Sequence, residues 1–227
     1  MFQIVQNYEE FVVMDRRDFS LAASAAAVGA LALPSAAWAQ GGAQEGKDYV
    51  KLAKPAPTSA APGKVEIVEF FWYSCPHCFS FEPEFSAWKK TAPADVVVQR
   101  VPVAFNASFI PQQKIYFALE TLNLLDTMHV RVFQAIHVER NRLNKDEEIF
   151  AWMGKQGVDV AKFKDAYNSF SVANQVRKAS QLQQAYDVEG VPAMGVAGRY
   201  YTDGPRAGSM TKVLRVVDQL IAASRKA

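Results

Sequence analysis

Val65-Glu66-Ile67-Val68-Glu69-Phe70-Phe71-Trp72-Tyr73-Ser74-Cys75-Pro76-His77-Cys78 is a β-branched and aromatic run that ends on the only two cysteines of the chain. The first nine residues have the composition of a buried central strand, and Phe79 to Trp88 behind the motif repeats apolar residues at helical spacing. The tetrapeptide therefore marks the handover from strand to helix. Cys75 falls near the N-cap, and Pro76 takes the first helical position, where its missing N–H costs nothing. Cys78 lies one turn further, beside Cys75.

That placement decides what the sulfurs do. Two cysteines separated by two residues close too small a loop to stabilise a fold by restricting the unfolded chain, so an exchanging redox pair is the better reading than a staple. Free N–H groups and the positive end of the helix dipole favour an anion at Cys75, and His77 adds charge or a hydrogen bond. A favoured thiolate stabilises the reduced form, which makes the disulfide labile and oxidising. Zinc would need four ligands. Beyond the motif the chain offers only His129 and His137, eight residues apart rather than the three to five of a finger, so no metal is expected. Haem attachment needs a His directly after the second Cys, where Phe79 stands. No cofactor is called for.

Upstream, Arg16-Arg17 precede an Ala/Leu-rich stretch from Leu21 to Leu33 and the small-x-small site Ala37-Trp38-Ala39. This reads as an export signal over residues 1–39, cut before Gln40, of twin-arginine-like or general secretory type. The stretch is too short and Ala-rich to be preferred as a permanent span. Residues 1–13 carry Glu9 and Glu10 and fit no basic leader, which points to Met14 as the true start. Removing 39 residues leaves 188, a one-domain length or a domain with one insertion, with 23 basic and 19 acidic residues. A net charge of about +4 is too mild and scattered for nucleic acid. In an oxidising compartment, two cysteines confined to one motif again favour catalysis.

The rest of the chain gives the architecture. Gln40 to Gly63 is polar and Pro/Gly-rich apart from Asp48 to Leu52, a short edge strand. Val96 to Val103 reads as a second buried strand ended by Pro102. From Asn106 to Tyr186 about five helices follow: Pro111 to Leu125, Thr127 to Val138, Lys145 to Lys155, Val160 to Tyr167 and Val172 to Tyr186. Asn144 with Glu147, Asp159 and Ser171 are the expected caps. After Gly190-Val191-Pro192, strand character returns from Ala193 to Thr202 with a turn at Gly198, and a helix from Met210 to Ser224 closes the chain. The expectation is an α/β thioredoxin-like fold with an inserted helical domain. Its leading thioredoxin-like segment spans 40–105, the helical insertion 106–186, and the closing thioredoxin-like segment 187–227.

Glu69-Phe70-Phe71, Cys75-Pro76-His77-Cys78, Phe81-Glu82 and Gly190-Val191-Pro192-Ala193-Met194 together resemble the bacterial DsbA family of exported thiol-disulfide oxidoreductases, from Gln40 to the C-terminus. The resemblance implies that Cys75 is the exposed nucleophile, Cys78 the buried resolving cysteine and Pro192 a cis-proline facing them. A cis turn is cheap only before proline, and it would bring the Val191 backbone beside the sulfurs to pair with an extended client. The bland alternative is an ordinary turn proline. The family also places a buried Glu-Lys pair at Glu69, and here Arg100 stands in the Lys position, a departure that rules out a shuttle through a neutral base. Glu69 either modulates proton transfer at Cys78 or forms a structural ion pair. Phe70, Phe71, Trp72, Phe79, Phe81 and Phe85 are expected in the core, His129 and His137 at surface or packing positions, and His77 as the one functional histidine. The implied activity is periplasmic: donation of the Cys75-Cys78 disulfide to reduced, unfolded exported proteins through a mixed disulfide. Re-oxidation falls to a membrane quinone-linked partner of the DsbB type, and the chain is expected to act as a monomer. The alternatives are a disulfide reductase or isomerase, and a peptide-binding holdase with a vestigial motif.

Overall fold

A computed structural model describes residues 42–226. The expected leader and the alternative start at Met14 lie outside the described residues. Five strands, β1 (Val50–Lys51), β2 (Val65–Phe71), β3 (Val96–Pro102), β4 (Ala193–Val196) and β5 (Tyr200–Asp203), form one sheet in the order β1-β5-β4-β2-β3. β2 is flanked on both sides, parallel to β3 and antiparallel to β4. This is why all seven of its residues are buried and why its sequence shows no polar alternation. β4 and β5 are a hairpin whose turn residues Ala197 and Gly198 both have positive φ, 52° and 66°. That is the handed turn that matches strand twist. The edge strand β1 pairs with β5 and is shorter than the expected Asp48 to Leu52.

Helix α1 (Pro76–Thr91) follows β2 directly. The insertion carries α2 (Ile110–Thr121), α3 (Leu125–His137), α4 (Asp146–Lys155), α5 (Val160–Tyr167) and α6 (Phe170–Ala185); a short α7 (Gly204–Ala207) and α8 (Met210–Ser224) end the chain. Successive strand residues face opposite sides, so the sheet has two cores. Val65, Ile67, Met194 and Val196 meet Phe81 and Phe85 of α1 and Val213, Val217 and Leu220 of α8. Val68, Phe70 and Ala193 meet the insertion through Ile115, Leu119, Leu182 and Tyr186. Tyr186 fixes this second core: its ring packs edge-on against Phe70 at 5.2 Å, and its hydroxyl accepts from the Gly198 N–H at 3.0 Å. Gly195 is glycine because a Cβ there would overlap the Tyr186 ring.

Two of the expected caps differ. α4 begins after Lys145, which makes no side-chain cap, so Asn144 and Glu147 do not form a capping box. α6 is capped by Ser169 rather than Ser171, its Oγ accepting from the Val172 N–H at 3.1 Å. Ser169 has extended backbone and precedes the first helical residue, as capping requires, whereas Ser171 is already inside the helix. Asp159 caps α5 as expected, accepting from Lys162 N–H at 3.1 Å. No described helix is long and apolar enough to cross a membrane.

Candidate active site

The strand-to-helix handover puts Cys75 at the N-cap of α1 in extended conformation, with Pro76 as the first helical residue. The Cys78 N–H donates to Cys75 Sγ at 3.3 Å, so the sulfur occupies the place a capping oxygen takes elsewhere. Both cysteines are free thiols in this structure. Cys75 is the more accessible of the two at 6 % exposure against 1 % for Cys78, yet it is itself buried rather than exposed as the family resemblance implied. Pro76 and His77 stand out in solvent above it.

The two sulfurs have opposite environments. Hydrogen bonding from Cys78, helped by the backbone N–H groups of Cys78 and His77 and by the His77 charge, outweighs burial and lowers the Cys75 pKa to about 6. Burial pushes the Cys78 thiol well up, and the neighbouring Cys75 sulfur and the Glu69 carboxylate add to it. Across the site the Val191–Pro192 peptide is cis, and the Val191 carbonyl accepts from the Cys75 thiol at 3.3 Å. That bond exists only while Cys75 holds a proton; ionisation or disulfide formation frees the carbonyl. His77, Gly190, Val191, Pro192 and Met210 line a cleft of about 380 Å³ beside the motif.

Behind the sulfurs lies a buried charged cluster. Glu69 and Arg100 are direct cross-strand partners on β2 and β3, and Arg100 Nε donates to Glu69 Oε2 at 2.8 Å. Arg100 Nη2 donates to both oxygens of Glu82 at 2.8 Å, and Ser86 Oγ donates to Glu82 at 2.6 Å. Burial raises the Glu69 pKa to about 7 despite Arg100, with Glu82 pushing the same way. Glu82 resists its own burial, because the His129 imidazole and the Arg100 guanidinium hold it down to about 2. One cation thus faces two carboxylates, and only Glu69 changes charge near neutrality. Arg100 remains protonated.

Glu82 and His129 are the residues that the sequence reading did not assign to this cluster. Glu82 follows Cys78 by four residues, hence on the same buried stripe of α1 with Phe81 and Phe85, which is a legible signal. His129 gave none. It is buried on α3 with Nε2 at 3.4 Å from Glu82 Oε2 and with Nδ1 at 2.9 Å from the Tyr73 hydroxyl. Burial keeps its pKa low. His137, about two helical turns further along α3, stacks on Phe79 at 4.9 Å and 5°, and its Nε2 lies 2.8 Å from the Tyr73 carbonyl. Both histidines therefore pack against the segment carrying the motif rather than facing solvent.

The arrangement can stabilise a thiolate at Cys75, hold Cys78 as a thiol, and accept a peptide beside Val191. A family model described as a DSBA-like thioredoxin domain matches residues 100–215. The chain is 47 % identical over 214 residues to the thiol:disulfide interchange protein DsbA of Bordetella pertussis, covering 94 % of this chain and 100 % of that one. It is 42 % identical over 182 residues to the protein of the same name from Pseudomonas aeruginosa, covering 80 % and 86 %. Among solved structures it resembles the crystal structure of P. aeruginosa DsbA, with a TM-score of 0.76 at 41 % identity over 80 % of this chain and 94 % of that one. It also resembles the oxidoreductase DsbA of Xylella fastidiosa, with a TM-score of 0.75 at 28 % identity over 81 % and 98 %.

Proposed function

Because the chain belongs to the DsbA family and is a protein disulfide oxidoreductase of the thioredoxin-like fold, we propose that its Cys75-Cys78 disulfide is donated to reduced, unfolded polypeptides exported to the periplasm. The observation that carries this reading is the asymmetry of the pair, an acidic sulfur at the N-cap and a buried thiol one turn behind it.

In the oxidised enzyme a client thiolate attacks Cys75 Sγ. The Cys75–Cys78 bond breaks, its electron pair goes to Cys78, and a client–Cys75 mixed disulfide forms. Cys78 then takes a proton. Glu69, with a pKa near 7 and coupled to that sulfur, is the group suited to exchange it, since Arg100 cannot. A second client thiolate attacks the client sulfur of the mixed disulfide and expels Cys75 as a thiolate. A leaving group with a pKa of about 6 departs readily, which drives the reaction toward client oxidation. The client loses two electrons and two protons, and the enzyme ends reduced, with Cys78 holding one proton as the thiol, Cys75 a thiolate near neutral pH, and the other proton in solvent.

In this reading His77 and Pro76 shape the Cys75 end of the helix. Val191 and Pro192 offer backbone to an extended client, and Arg100 fixes Glu69. The segments 40–105 and 187–227 build the site around the insertion at 106–186. A leader over 1–39 would deliver the chain to the periplasm, and a membrane quinone-linked oxidant of the DsbB type would restore the disulfide. Replacing Cys78 by Ser tests the sequence of steps. With Cys75 first activated as a mixed disulfide with thionitrobenzoate, the variant should exchange that aryl thiolate for reduced exported proteins and form client–Cys75 disulfides, visible as adducts on non-reducing gels. A Cys75→Ser variant that keeps full activity in cells would refute the assignment and return the holdase reading, and a hard-to-reduce pair with an ordinary Cys75 thiol would return the reductase one.

A further inference from the structure

A second cleft, of about 390 Å³, opens on the other flank of the motif from the one beside Val191. It is lined by Trp72 and Ser74 from the strand end, Phe109 and Gln112 at the start of α2, and His137 and Arg142 at the end of α3 and beyond. Ser74 is the residue before Cys75, so the two clefts bracket the reactive sulfur: one touches His77, the other Ser74.

Two polar atoms of this cleft's side chains lack partners. Gln112 is 3 % exposed, and its Nε2 donates to Ser74 Oγ at 2.6 Å and to the Arg142 carbonyl at 2.9 Å. The carbonyl partner requires a donor, so the amide is oriented unambiguously and Oε1 is left as a buried acceptor without a hydrogen bond. Trp72 Nε1 is a buried donor without one. Leaving such groups unpaired is costly, and native chains keep few of them. Their polarities are opposite. A carboxylate would satisfy Trp72 and oppose Gln112, and an ammonium would do the reverse. A peptide group carries one acceptor and one donor and answers both.

The walls suit the rest of a polypeptide. The Trp72 ring lies stacked on Phe109 at 3.9 Å and 19°, and the cleft volume is several times the ~30 Å³ share of one water. Both unpaired atoms are closed to bulk water in this structure, so an occupant reaches them only as the walls of the cleft move apart. Phe109 belongs to a single 3-10 turn at the rim, Ala107–Phe109, none of whose residues is buried.

We propose that this cleft is a subsite for the client backbone: an amide flanking the reacting cysteine gives its carbonyl to Trp72 Nε1 and its N–H to Gln112 Oε1. The inference rests on the disulfide-donor reading and adds a second handhold, independent of client sequence, on the insertion side of Cys75. The client then lies across the motif from one cleft to the other.

The test compares oxidised wild-type protein with Trp72→Phe, which keeps an aromatic ring against Phe109 and removes the donor. The reductants are dithiothreitol, a short blocked peptide containing only the two cysteines and their spacer, and the same peptide extended by four residues on each side. The subsite predicts that kcat/KM for the extended peptide falls about five- to tenfold relative to dithiothreitol, chiefly through KM. Equal changes for all three reductants would overturn it. A wild-type protein that oxidises dithiothreitol but neither peptide would instead defeat the donor reading itself, and the subsite with it. Should Trp72→Phe misfold, the wild type decides. On titration with the extended peptide carrying Ser for both Cys, the Trp72 indole N–H resonance must move. Shifts confined to His77 and Val191 would overturn the subsite and leave the donor reading standing.

Discussion

Reduction of the Cys75-Cys78 pair should stabilise the fold at neutral pH and cease to do so in acid. The Cys75 thiol has a folded pKa of about 6 against an ordinary value of 9.0. A pKa lowered by folding contributes stability that is full above the unfolded value and disappears as pH falls through the folded one. At about pH 7.5 the protein is about 1.5 pH units above the folded value, worth about 2 kcal/mol. Solvent screening at a partly open sulfur brings this to about 1–2 kcal/mol. The same free energy makes the pair about 20–40 mV more oxidising. Cys78 does not disturb the comparison below about pH 8, because burial keeps its thiol protonated in the fold and it titrates in the unfolded chain only near pH 9. The disulfide's effect on the unfolded chain is a pH-independent offset. Urea unfolding of the reduced and oxidised protein, run in parallel from about pH 8 to 5, measures the gap as a function of pH. The reduced form should lead by an amount that shrinks steadily toward pH 6 and then levels. A gap that is flat over this range, or that widens in acid, would show that the helix start does not hold a thiolate.

Three further perturbations test the groups around this sulfur and the core behind it. Replacing His77 by Ser removes one of the groups that favour the anion, so the ultraviolet thiolate absorbance of Cys75 should titrate at higher pH and the equilibrium with glutathione should shift a few-fold toward the disulfide. Glu69 has a raised pKa, so the wild type loses stability as pH rises from about 4.5 through 7; Glu69→Gln should remove about 2–3 kcal/mol of that loss, read as a flatter Tm against pH, and an unchanged slope would place the titration elsewhere. Gly195→Ala would force Tyr186 away from Phe70 and should cost about 1–3 kcal/mol in urea unfolding, with a normal midpoint counting against the close approach.

Much of this was legible in the sequence because it is written locally. The strand run, Pro76 after Cys75, and the apolar spacing behind it fix the handover on their own. Glu69 stood out as a carboxylate in an otherwise apolar strand, and Arg100 as its partner came from the family resemblance. The rest depends on distant meetings. His129 looks ordinary in α3, and only packing brings it under Tyr73 and Glu82. The Ser169 and Ser171 pair offers two equally good capping side chains two residues apart, and only the backbone, extended at Ser169 and helical from Phe170, distinguishes them. Lys145 begins a helix without any capping group, which no cap-based rule finds. The Trp72 and Gln112 pairing likewise joins residues on two elements whose separation the sequence does not encode.

The order of the strands has a consequence for how the protein is made. β2 sits between β3, which follows it closely in the chain, and β4, which arrives only after the whole insertion. The carbonyl beside Cys75 is supplied by Val191, 116 residues downstream. During synthesis the leading stretch of the chain therefore presents both cysteines long before it possesses the far wall of the site. The groups that favour the Cys75 thiolate are local to the helix start, so what closure of the sheet adds last is the Val191 carbonyl and the cleft beside it. A truncated or stalled molecule carries the acidic sulfur without the surface that would receive a client.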